Sequence, residues 1–125
     1  MNRYEWFAVE KKIRHLCHLV GRTRQDVEST AAKAEAEAAR DAPAGEACLA
    51  AANAAQGCAT VASGMYEQAL KLWYECPDHA YYDSPAGRQT MHMLTVAWSD
   101  TVSVWAVAHA AERCATEALI FGENA

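Results

Sequence analysis

The stretch SPAGRQTMHMLTVAWSDTVSVWAVAHAAERCATEALIF, Ser84 to Phe121, is the longest apolar periodic run of the chain and holds two of its four tryptophans. Leu94, Trp98, Val102, Trp105 and His109 recur in it at helical spacing. Met93, Val96, Ala97, Val104, Val107, Ala111 and Ala118 make a second apolar stripe beside the first. Both follow the 3.6-residue period, so the stretch is expected to form one long buried helix. A helix apolar over so wide an arc must be covered by at least two others. Thr101 to Val107 is the nearest approach to a strand, but it fits a helical stripe as well and no turn residues bound it.

Working outward, the rest of the chain supplies those covering helices. Residues 3–20 place Trp6, Val9, Ile13, Leu16, Cys17 and Val20 on one face. Gly21 weakens that helix, and Thr23 followed by Asp26 looks like a fresh N-terminal cap, so the first helix is either kinked or broken there. From Gln25 to Ala42 the inward stripe is thin, being Val27, Ala31, Ala34 and Ala38. Such a face packs only by close backbone approach. Glu46 to Cys76 reads as the second long helix, with small residues in its first half (Ala47, Ala50, Ala51, Ala54, Gly57, Ala62, Gly64) and bulky ones in its second (Met65, Leu72, Trp73).

Two near-copies of one signal, Asp41-Ala-Pro43-Ala-Gly45 and Asp83-Ser-Pro85-Ala-Gly87, open the second and third long helices. Proline suits the first helical turn and Ser84 can cap it. The sequences that follow diverge at once, so this is one helix start used twice rather than a duplicated unit. Folding residues 3–41 back onto 46–76 brings alanine against alanine near Pro43 and Trp6/Phe7 against Trp73/Tyr74 at the far end. The expected fold is therefore an all-α, single-domain, up-down bundle of three long helices, or four if Gly21 breaks the first. It should taper from an aromatic end to an alanine end and span about 50 Å.

Bulk composition narrows the function classes. Of 125 residues 28 are alanine, and the net charge is −5. Residues 1–42 carry eight Lys/Arg against seven Asp/Glu, and residues 43–125 carry three against nine. So acidic a surface argues against direct nucleic-acid binding, which needs clustered cations, and favours a protein partner. The five cysteines have no framework spacing and read as free thiols in a reducing cytoplasm. No secretory leader and no uncharged membrane-spanning stretch is visible.

The chain contains no G-x-S-x-G, no H-E-x-x-H, no phosphate-cradling glycine loop and no paired E-x-x-H, so no enzymatic activity and no cofactor is expected. His15, His18, Cys76, His79 and His92 are the candidate metal ligands, but they lack the paired spacing of a structural zinc site. Asp100, amid Trp98, Val102 and Val104, is expected to be a buried acid facing His92 or an arginine from another helix.

Two candidate partner-binding surfaces remain. Lys11, His15, His18 and Arg22 follow one another at i, i+4, i+7 and i+11 and make a cationic stripe on the first helix. The connection Cys76 to Asp83 is dense in aromatic and titratable groups, and Asp78, His79, Tyr81, Tyr82 and Asp83 in it are the second candidate surface. These features suggest a non-catalytic protein-binding module of the inhibitor, antitoxin, immunity or phage counter-defence (anti-CRISPR-like) kind. Alternatives are a metal- or redox-responsive bundle, or a homodimer formed through the surplus apolar arc of residues 91–121.

Overall fold

The computed structural model describes residues 3–38 and 45–124. Within them the chain forms four helices and no strand: α1 (Arg3–Ala38), α2 (Gly45–Tyr74), the single turn α3 (Ala80–Asp83) and α4 (Pro85–Asn124). The three long helices run up, down and up, and each packs on the other two. The first copy of the helix-start signal, at 41–44, lies outside the described residues, as do the side chains of Ala34, Ala38, Ala47 and Ala118.

Helix α1 passes through Gly21 unbroken. Thr23 does not cap a new helix, because its hydroxyl donates to the Leu19 carbonyl at 2.8 Å, one turn back. No glycine in the described residues has positive φ, so Gly21 stays in ordinary helical geometry. The inner face of α1 is the one read from its spacing: Trp6, Ile13, Leu16, Cys17, Val20, Val27 and Ala31 are all buried.

The taper is present. At the narrow end Ala31, Cys48, Ala52, Ala111 and Ala115 form a small-residue cluster, and towards the wide end the core grows to include Leu94, Trp73 and Trp6. Phe7 and Tyr74, expected to join the wide end, instead face solvent. Of the small residues of α2 expected to touch its neighbours, Ala62 is buried and Ala51 is half-buried against the narrow-end cluster. Cys48, Ala52, Ala55, Ala59, Ala62 and Ala69 are buried, whereas Ala50, Ala54, Gly57 and Gly64 are exposed.

The largest departure is on α4. Its inward column is Thr90, Leu94, Ala97, Thr101, Val104, Ala108, Ala111 and Ala115. Of the stripe that also holds Trp98, Val102, Trp105 and His109, only Leu94 is buried; Trp98 is 55% and Val102 50% exposed. In a three-helix bundle each helix is covered by its neighbours on one side only. With two apolar stripes to choose from, the side carrying alanines goes inward because it allows the shorter interaxial distance.

Four glycines test this geometry. A methyl group at Gly57 or Gly64 would meet no atom within 4 Å, and at Gly21 it would sit 3.7 Å from Oδ2 of Asp100. At Gly87 it would lie 1.9 Å from the Tyr81 carbonyl oxygen. Gly57→Ala and Gly64→Ala are therefore expected to raise stability by about 0.5–1 kcal/mol each through helix propensity. Gly87→Ala should lower it by about 1–3 kcal/mol through overpacking against backbone. Thermal denaturation followed by circular dichroism reads both signs; a neutral Gly87→Ala would show that the close approach is not required.

Candidate functional site

Residues 75–84 are held by local chemistry. Asp78 accepts the Ala80 backbone N–H on Oδ1 at 3.0 Å, and its carbonyl accepts the Tyr81 N–H at 3.0 Å, which starts the α3 turn. Ser84 ends that turn and begins the next helix. Its hydroxyl donates to the Tyr81 carbonyl at 2.5 Å and accepts the Gly87 N–H at 3.0 Å, the N-cap expected before Pro85. With no Cβ at Gly87, the Tyr81 carbonyl comes directly onto the α4 backbone.

That seating aims Tyr81 into the wide end of the bundle. Its ring meets Trp6 edge-on at 5.1 Å between centroids and Trp73 at 5.9 Å. Its hydroxyl donates to the Glu10 carboxylate and lies 3.2 Å from Thr90 Oγ1. Thr90, fully buried, donates to the Ala86 carbonyl at 2.9 Å and accepts from Arg14 Nη2 at 3.3 Å. Arg14 in turn lies 3.6 Å from Glu10. Tyr82 packs on Trp73 at 4.7 Å and donates its hydroxyl to the Trp73 carbonyl at 2.8 Å, a second donor to a carbonyl at the end of α2 that also accepts the Cys76 N–H at 3.4 Å.

Both tyrosines are thus half-buried with their hydroxyls engaged inside the molecule, while Asp78, His79 and Asp83 are exposed around them. His79 leans towards Tyr82 at 6.1 Å. The connection is a structural closure whose rim is polar. Glu10, Arg14 and Thr90, which complete the network, carried no signal in the sequence; they are ordinary polar residues on helical faces and become linked only by the path of residues 80–84.

The cationic residues of α1 lie on the opposite side of that helix from its buried face. Lys11, His15, His18 and Arg22 are all exposed, and no ion pair among the described residues engages them. Lys11 Nζ sits 5.6 Å from the centroid of the exposed Phe7 ring. The neighbouring cation Arg24 behaves differently, donating from Nη1 to Asp100 Oδ1 at 2.7 Å and from Nε to Glu28 at 3.0 Å. Asp100 is therefore a buried acid paired with an arginine from another helix.

Among the described residues no three His, Cys, Asp or Glu side chains gather into a metal-sized group, and His15, His18, Cys76, His79 and His92 are not brought together. Cys17, Cys58, Cys76 and Cys114 are free thiols. Burial pushes the Cys17 thiol up to about 11, so it stays protonated, and Cys76 donates to the Asp78 carbonyl at 3.4 Å. No described helix is long and apolar enough to cross a membrane. No protein-family model, no curated protein and no solved structure matches this chain.

The cap makes a pH prediction. Burial first, and the Glu10 hydrogen bond second, push the Tyr81 phenol from 10.0 up to about 12. The folded state therefore holds this proton more tightly than the unfolded state. Its stabilising effect is complete below pH 10 and is lost as pH rises from 10 to about 12. Tyr66 and Tyr82 are shifted the same way by burial. Denaturant titrations across that range should show stability falling with pH, and Tyr81→Phe should flatten the fall. A variant with the same slope as the parent would mean that Tyr81 does not carry it.

Proposed function

We propose that this chain is a non-catalytic protein-binding module that acts by occupying the surface of an acidic partner protein. Small inhibitors, antitoxins, immunity proteins and phage-encoded counter-defence (anti-CRISPR-like) proteins work in this way. The observation that carries the reading is the outward face of α1. On a molecule of net charge −5, Lys11, His15, His18 and Arg22 form an exposed row of basic residues that no ion pair among the described residues engages.

Cations used for folding find partners inside the molecule, as Arg24 does with Asp100. The row on α1 is left free for an external one. Its charges steer a negatively charged surface into place and set the register of docking, and the Phe7 ring beside Lys11 supplies an apolar contact for the same footprint. The row stands on one unbroken helix, so the ordering cost of binding is that of the Lys11 and Arg22 side chains rather than of backbone.

The test is capture of partners by the tagged chain from its native lysate after nuclease treatment, with the parent compared against Lys11→Glu/Arg22→Glu. The parent should hold a stoichiometric protein partner whose retention weakens as salt rises, and the reversed variant should bind it at least about tenfold more weakly while keeping its helicity. Equal capture by both proteins would remove this face as the contact.

A further inference from the structure

The exposed side of α4 carries a pattern that its own fold does not use. Met91, Thr95, Trp98, Val102, Trp105 and His109 follow one another at spacings of 4, 3, 4, 3 and 4, which is the seam of a coiled coil. The row lies beside the buried column of α4, on the flank that faces α2, and five of its six members are exposed. Trp105 is half-buried and fixed there, with Nε1 donating to Ser63 Oγ on α2 at 2.6 Å and its ring stacked on His109 at 5.7 Å. On α2 the same flank adds Leu70 and the 71%-exposed Tyr74, which share a face with Ser63. Met91, Trp98 and Val102 thus expose large apolar groups along one line, the kind of surface that interaction sites use.

The seam continues without a break in its spacing to a charge at each end, Arg88 three residues before Met91 and Glu112 three residues after His109. We propose that a second copy of this chain covers the seam, with the two α4 helices antiparallel about a dyad at residue 100. In that register residue i faces residue 200 − i of the other copy. Trp98 meets Val102, Thr95 meets Trp105 and Met91 meets His109, each a bulky group against a smaller or flexible one. Arg88 meets Glu112 at both ends.

A parallel pairing of the same faces sets Arg88 against Arg88, Glu112 against Glu112 and tryptophan against tryptophan, so the end charges select the antiparallel form. Arg88 makes no ion pair among the described residues; Glu112 accepts from Gln56 on Oε2, which also lies 4.0 Å from His109 Nδ1, and its other oxygen has acceptor capacity left for Arg88. The seam from 88 to 112 is about 36 Å long at the helical rise. Because it lies on the α2 side of α4, the dyad also brings α2 of each copy beside α4 of the other, which makes a four-helix layer across the interface. The cationic row of α1 stays outside it, so this pairing stands independently of the proposed partner surface.

Sedimentation equilibrium of the tag-free chain at high micromolar concentration should give a dimer, twice the 13.6 kDa of one chain. Trp98→Glu/Val102→Glu should raise its dissociation constant at least about 100-fold by burying unpaired carboxylates. The helicity of the protomer should not change, since both side chains are exposed in it. Met91→Glu, at the end of the seam, is the milder second variant and should weaken the dimer in the same direction. Arg88→Glu and Glu112→Arg should each weaken the dimer about tenfold, and the double reversal should restore it. A strict monomer, a dimer indifferent to Trp98→Glu/Val102→Glu and Met91→Glu, or a double reversal no better than either single change would each overturn the proposal. A monomer that still captures an acidic partner through α1 would overturn this pairing alone.

Discussion

The contact on which the wide end depends is that of the Tyr81 carbonyl with the bare Cα of Gly87. No other residue type permits it, because a Cβ there would lie 1.9 Å from the oxygen. The approach lets the chain leave α2, make one turn and enter α4 within ten residues. It also delivers the Tyr81 side chain to Trp6 of α1, Trp73 of α2 and Thr90 of α4 together. One phenol thereby touches all three long helices. Its hydroxyl gathers Glu10, Thr90 and Arg14 into one polar network, so a residue in a surface connection becomes the keystone of the core. The narrow end is built on the opposite logic. There Ala31, Ala52, Ala111 and Ala115 hold the helices by close approach and dispersion, with Leu49 and Val107 packed at their edge.

Between these ends, Arg24 and Asp100 set the register of α1 against α4. Asp100 lies among buried residues, and a carboxylate there is tolerable only with a cation in hydrogen-bond contact. Gly21 leaves room beside it, one turn before Arg24. A Cβ there would stand in ordinary contact with Oδ2 of Asp100, and the helix runs through the position unbroken. Thr23 spends its hydroxyl on the preceding turn for the same reason: the helix is continuous and there is no free N–H to cap.

These features mark how far the residues alone lead. The α1 face was legible because its apolar positions form one narrow stripe with charge on the other side, and only one orientation buries it. The taper was legible because bulky residues gather in the second half of α2 and alanines in the later part of α4. The orientation of α4 was not, since it is apolar nearly all round and periodicity cannot rank a tryptophan stripe against an alanine stripe. Packing distance decides between them, and distance is a property of three helices at once. Whether α1 continues or breaks at Gly21 stayed open in the sequence, because capping residues are a local signal and the Asp100 contact is tertiary; the helix is continuous. At the candidate sites, exposure of Lys11, His15, His18 and Arg22 followed from their phase opposite the buried stripe. That Tyr81 turns inward while Asp78 and Asp83 stay out depends on Gly87, whose role only the fold reveals.

The outcome on α4 bears on what a three-helix bundle can hide. Burying Trp98 and Val102 would have removed more apolar area per residue than burying Ala97 and Ala108, and area alone would therefore choose the other face. The chain instead gives up that area to keep its helices close from end to end. What is left outside is a row of large apolar groups beside α2, with Trp105 locked to Ser63 and so unable to fold away. A face of this kind is costly to expose and is already rigid. The free-energy gain from covering it is available to whatever matches its 3-4 spacing and its terminal charges, without further reorganisation of the bundle.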